Sequence, residues 1–309
     1  MVIGVLVAIL LPAVQYVREI SRRTACQNNL RQQALAVHAH ESVHKRIPSL
    51  YYGTSLRQPR TVFDEFHFHS WQTAILPQLE QGALFEATDH SLFATDASNQ
   101  ASLNTRVTVF LCPSTPNYWA FIPDVMSIND GTFSTEIVGT AERTDYEAVG
   151  GVQFPDPPQV SNTDLRAVKF GAWGEPKYSV TVLNPISYRT ARLRDVSDGL
   201  SNTILIGERS GRPDVYGRGQ VVIPYYSGSQ DHGDLHQPAR GISTHIWWLV
   251  SGSESPINSS NLNGIFSFHA MGANVGLADG SVRFLSEDLD QNTLNALQTR
   301  SAGDIATPD

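Results

Sequence analysis

GVLVAILLPAVQYVREISRRTACQNNLRQQALAVH, residues 4–38, is the stretch whose pattern decides the fold. Its opening, MVIGVLVAILLPAV when read from Met1, is apolar and carries no charge. As a helix this opening covers about 21 Å, short of a hydrocarbon core of about 30 Å. Alone, it reads as a signal-peptide core, a buried helix or the end of a membrane helix. No small-x-small cleavage site follows it and no charged residue precedes it, which disfavours the signal peptide. Pro12 is expected to kink the helix without ending it, because helical periodicity resumes downstream.

From Gln15 the pattern turns amphipathic. Cys26, Leu30, Ala34 and Val37 recur at helical spacing and share one face, while Arg18, Arg22, Arg23 and Arg31 lie off it. The helix is expected to fade before Pro48. The reading is one rod over residues 1–48, with residues 1–16 as its membrane-anchoring part. Such a stripe must cover something, and residues 49–309 supply the candidate: a β-rich body.

That body is rich in Gly, Pro, Ser and Asn, with short β-prone runs. Residues 203–206, 220–226, 245–250, 265–268, 275–278 and 282–285 read as strands. Asp279-Gly280 between the last two marks a tight hairpin. Residues 70–88 read as helical with a break at Pro77, and 290–300 as a terminal helix resting on Leu294 and Leu297. The FPDPPQVS run at 154–161 reads as a surface loop. The fold class is therefore α+β, a long N-terminal helix packed on an antiparallel sheet with β-rich elaborations.

A formal net charge of -8 disfavours a phosphate-backbone binder, so nucleic acid is an unsuitable partner. Hydrophobic content of 41% with 17% charge describes a folded chain. Lysine occurs only at Lys45, Lys169 and Lys177, so arginine carries most of the positive charge. Cys26 and Cys112 are the two cysteines. They are too few for a four-thiolate zinc site, which leaves one disulfide or two buried thiols.

The helix motif, apolar-LLPAVQ-x-x-RE-x-x-RR-x-x-C-x-NNL-x-Q, resembles the domain-of-unknown-function 1559 family, whose start is similar to type IV pilins. The resemblance continues through SWQTAILPQLEQ (70–81), FLCPS (110–114), YEAVGG (146–151) and RLRDVSDGLSNTILIGE (192–208). It ends in SFHAMGANVGLADGSVRFLSEDLD (267–290), with the His-x9-Asp-Gly element at His269, Asp279 and Gly280. The resemblance implies a leader removed and the new end N-methylated by a prepilin peptidase. No leader or processing site precedes Met1, so a misassigned start or a truncated chain is expected. It also implies a single-pass protein of the cytoplasmic membrane whose body faces the periplasm or the exterior. Arg18, Arg22 and Arg23 would by charge alone be placed on the cytoplasmic side. The outward assignment therefore rests on the resemblance and the cysteines.

Each candidate for chemistry has a plainer explanation. Ser267, His269 and Asp279 invite a triad, but no G-x-S-x-G elbow accompanies them, and Asp279 is accounted for as a turn residue. His40 and His44 have metal-ligand spacing without an HExxH context. Asp195, Asp198, Asn202 and Glu208 offer oxygens suited to calcium at a spacing unlike an EF-hand. Turn formation by Asp and Asn explains most of that cluster. Trp247, Trp248, Tyr225 and Tyr226 are candidates for a glycan platform or for ordinary core. The expected function is thus non-enzymatic and without a cofactor: a pseudopilin-like envelope, secretion or filament subunit that partners the membrane and like subunits. The alternative is a membrane-tethered binder of a glycan or other solute.

Overall fold

The N-terminal pattern folds as one helix, α1 (Val2–His44), which continues through Pro12. The computed structural model describes residues 2–52, 69–92, 96–116, 124–129, 134–139, 142–153, 168–173, 191–211, 216–222, 249–252, 256–261 and 264–301. Along α1 the stripe behaves as its spacing predicts: Cys26, Leu30, Ala34 and Val37 are all fully buried. The apolar start is not. Ile3, Ile9, Leu10, Leu11, Val14, Val17 and Ile20 are exposed, with Ile3 at 77% and Leu11 at 60%. The first half of the rod therefore overhangs the body, and burial begins near Glu19.

The stripe packs on a six-stranded sheet. Its strands are β1 (Tyr146–Gln153), β2 (Val168–Phe170), β3 (Ile204–Glu208), β4 (Leu249–Gly252), β5 (Gly272–Leu277) and β6 (Val282–Ser286). The order is β4-β1-β3-β5-β6, with β2 also paired to β1. Pairing is antiparallel except at β4–β1, which is parallel. The chain is thus α+β, as expected, with one parallel edge that the sequence pattern did not announce. Outside this sheet, Asp124–Asn129 and Ser134–Gly139 form their own two-stranded ribbon.

Alternation along β5 sorts the two faces. Ala273, Val275 and Leu277 join Leu294 and Leu297 of the terminal helix α2 (Gln291–Gln298). Asn274 and Gly276 face α1, where Gln27 donates to Asn274 and Leu30 lies against Gly276. A helix on each face explains why β3 and β5 are buried at every residue. Asp290 caps α2 by accepting from the Thr293 N–H at 2.9 Å.

Several expectations meet different local physics. Residues 70–88 form three short helical pieces, because Pro77 opens a 3-10 turn that ends with Glu80 at φ 61°. Residues 265–268 make a single bridge, Phe266 to Arg209, and not a strand. There the Asn258 side chain accepts from the Ser267 N–H, and the Ser267 hydroxyl donates to the Gly272 carbonyl, drawing the backbone into a brace. Of 220–226 and 245–250, the described strand residues are Val221–Val222 and those of β4. Residues 154–161 lie outside the described residues, as do Tyr225, Tyr226, Trp247 and Trp248.

α1 is also stapled. Cys26 and Cys112 form a disulfide with Cα atoms 5.3 Å apart, closing a separation of 86 residues. Asn29 and Gln33 then grip the same segment, donating to the Leu111 and Val109 carbonyls at 2.8 and 2.7 Å. Closing so long a loop is worth about 4–5 kcal/mol in the chain-entropy account. Replacing both cysteines by alanine is expected to cost about 2–5 kcal/mol in urea unfolding. An unchanged midpoint would show that packing alone holds α1.

Candidate functional site at the helix–sheet junction

Where α1 meets the sheet, four parts of the chain converge on one buried histidine. Glu19 comes from α1, two helical turns before Cys26 and on the same side. Cys112 follows the 3-10 turn Thr108–Phe110, and its N–H donates to Asp145 at 2.8 Å. Glu208 ends β3. His269 lies in the loop that leads into β5.

His269 is 1% exposed, and both of its nitrogens meet carboxylates. Nδ1 lies 2.7 Å from Glu19 Oε1, and Nε2 lies 3.3 Å from Glu208 Oε1. Nε2 is also 3.6 Å from Cys112 Sγ. A ring with an acceptor at each nitrogen is satisfied when both carry protons, and in that form His269 joins helix to sheet as an imidazolium. Burial alone would push its pKa down, but hydrogen bonding and charge from Glu208, then Glu19, hold it above the ordinary 6.5. Burial would raise Glu19, yet the hydrogen bonds from His269 and Arg22 hold it below 4.5.

The surrounding groups fix these carboxylates. Glu208 is fully buried and accepts from the Asn274 N–H at 2.6 Å and its side-chain amide at 3.1 Å. Glu19 also takes Arg22 at 2.8 Å and the Ser114 hydroxyl at 3.2 Å. Arg23 lies 3.3 Å over the Phe284 ring, a cation–π contact with β6. Beneath them Tyr146 is buried, and its phenol is pushed well above 10.0 by burial and then by the Glu208 charge. Burial likewise raises the Asp145 carboxyl, against the pull of Arg143 and the Cys112 and Gly211 N–H groups.

The two ends of the His-x9-Asp-Gly element both touch α1. His269 holds Glu19, and at the hairpin the His38 Nε2–H donates to the Ala278 carbonyl at 2.9 Å. Asp279 accepts from the Ser281 N–H and hydroxyl, and Gly280 takes φ 86°, as a tight turn demands. From Glu19 to His38 a helix rises about 28 Å at ~1.5 Å per residue. The strand between the two contacts, Gly272–Leu277, thus runs along α1 between Glu19 and His38.

Other sequence candidates are not assembled. Asp279 sits at the far end of β5 from His269, and the Ser267 hydroxyl is committed to the Gly272 carbonyl at 2.7 Å, so no triad forms from these three. Glu208 is carried roughly 20 Å along extended β3 from Asn202. Asp195 instead caps the Arg192 N–H at 3.0 Å, and the Asp198 carbonyl receives the Asn202 amide at 3.5 Å. His40 and His44 stack at 4.2 Å, and the His40 Nδ1–H donates to the Arg46 carbonyl. Sequence reading gave Glu19 no role and assigned Glu208 to the wrong neighbours. The RE and IGE motifs flagged both, but their meeting with His269 spans most of the chain.

Among the described residues, one group has the chemistry and proximity of metal ligands: Cys26, Cys112, Glu208 and His269, with ligand atoms within 4.8 Å of one another. As the structure stands, its two sulfurs are bonded to each other.

A family model described as "Protein of unknown function (DUF1559)", SBP_bac_10, matches residues 15–292. That span includes every residue of the junction. No curated protein and no solved structure matches the chain.

Removing His269 leaves Glu208 buried without its cation. His269→Ala is expected to cost about 3–5 kcal/mol in urea unfolding at pH 6. Because the folded pKa of His269 is raised, its contribution is complete below pH 6.5 and is lost as pH rises through the folded value. The wild-type chain should therefore lose more stability than His269→Ala between pH 6 and 9. Equal losses would show that the ring is neutral in the folded state.

Proposed function

Since this chain belongs to the DUF1559 family, we propose that it is a non-enzymatic, membrane-associated subunit of pilin type. In this reading it works by anchoring and assembly through the free half of α1. The observation that carries the reading is the contrast along one helix. Before Glu19 a run of large apolar side chains is exposed, and after it the stripe is buried, bridged and clamped to the sheet. Exposing that much apolar surface to water is costly, at about 25 cal/mol per Å², so the overhang favours lipid or the same segment of a neighbouring subunit.

No helix among the described residues is long and apolar enough to cross a membrane. In this reading residues 2–14 enter lipid or complete their burial between subunits. Arg18, Arg22 and Arg23 would follow at headgroup depth, where Arg18 meets lipid phosphate while Arg22 and Arg23 hold Glu19 and Phe284. The disulfide favours a body on the oxidising side of the membrane. His269, both nitrogens committed to carboxylates, serves better as a fastener than as a catalytic base.

Deleting residues 2–16 should leave the body folded, because the clamp and bridge lie beyond the cut. The shortened chain is expected to leave the membrane fraction and to lose higher-order species in sedimentation. Continued sedimentation with membranes would refute anchoring through α1. A monomeric full-length protein that retains a glycan or solute after the deletion would favour the tethered binder.

A further inference from the structure

We propose that, once the Cys26–Cys112 bridge is reduced, the junction becomes a zinc site. Its ligands are the two thiolates, a Glu208 oxygen and His269 Nε2. The ligand atoms already lie within 4.8 Å of one another, and all four side chains are buried. Zinc–sulfur bonds of about 2.3 Å and zinc–nitrogen or zinc–oxygen bonds of about 2.0–2.1 Å put tetrahedral ligands roughly 3.3–3.8 Å apart. Gathering the four groups therefore requires ångström-scale movement, most of it the parting of the two sulfurs.

The outer contacts are those that a zinc site needs. A zinc-bound histidine donates its remote N–H to a carboxylate, which fixes the tautomer and aims the other nitrogen. His269 Nδ1 makes that contact with Glu19 at 2.7 Å, and its Nε2 faces Cys112 Sγ and Glu208. Glu208 Oε2 is held by the Asn274 N–H, while Oε1 accepts the Asn274 side-chain amide and also faces His269 Nε2. The Cys112 backbone is pinned by Asp145.

Charge makes the same case. Reduced and ionised, the two sulfurs would add two anions beside a fully buried carboxylate, and a buried charge of that kind needs a compensating cation. Two thiolates with an imidazole select zinc over calcium or magnesium. The metal would also join the four chain segments that the bridge and the imidazolium join in the oxidised protein.

The steps balance. Two thiol equivalents supply two electrons and two protons and become a disulfide. A phosphine supplies the two electrons, while water gives the two protons and the oxygen of the phosphine oxide. Either way the S–S bond becomes two S–H groups. Zinc(II) then forms two S–Zn bonds, one O–Zn bond and one N–Zn bond. The two thiol protons and the Nε2 proton leave to solvent.

The test uses the full chain in detergent micelles, reduced with a phosphine, desalted without oxygen and titrated with cobalt(II). One equivalent is expected to give the sulfur-to-cobalt charge-transfer and intense ligand-field bands of a tetrahedral thiolate centre, erased by added zinc. Unreduced protein should give none. Cys112→Ser and His269→Ala should lose the centre, and Glu19→Gln should weaken zinc binding by roughly 10–100-fold. Weak octahedral spectra from the reduced chain would overturn the site, as would thiolate bands that persist unchanged in His269→Ala and Glu208→Gln. A reduced chain that stays unfolded with zinc counts equally against it, since the metal is proposed to hold the junction together.

Discussion

One buried histidine between two carboxylates organises this molecule. His269 meets one carboxylate from α1 and another from β3. Around that contact the remaining constraints fall into place: the disulfide two turns along α1, the amide grips of Asn29 and Gln33, and the Asn274 donors that hold Glu208. Each ties the helix to a different segment. The junction therefore rests on convergence and not on any one strong bond, as expected where each buried polar group must find its partner.

Much of the fold was legible in advance because its signals are periodic. The spacing of Cys26, Leu30, Ala34 and Val37 announces the buried stripe, and Asp279-Gly280 between two apolar runs announces the hairpin. What escaped was not periodic. The central strand β1 carries the Gly150-Gly151 pair, which lowers strand propensity, so YEAVGG reads as a motif without a shape. Residues 265–268 look like a strand by composition, but they pair only at Phe266, and the Asn258 side chain takes the Ser267 N–H.

The site was harder to read than the fold for a related reason. Glu208 stands near Asp195 and Asp198 in the sequence, which is why it joins them in a calcium reading. Extended chain carries neighbours apart quickly, and Glu208 ends beside Asn274 and His269 instead. Glu19 and His269 lie at opposite ends of the chain, and no local pattern couples them. The family resemblance marked these positions without giving their chemistry, which only the packing of helix on sheet supplies.

Fastening α1 at Glu19, Cys26 and His38 also bears on how the molecule carries tension. Force along the helix loads these fastenings in shear, together, instead of peeling them one by one. The covalent bridge sits close to where the strain enters, and the interior strand β5, flanked by β3 and β6, spreads it across the sheet. A pull on the helix would thus be shared by the sheet to which it is fastened.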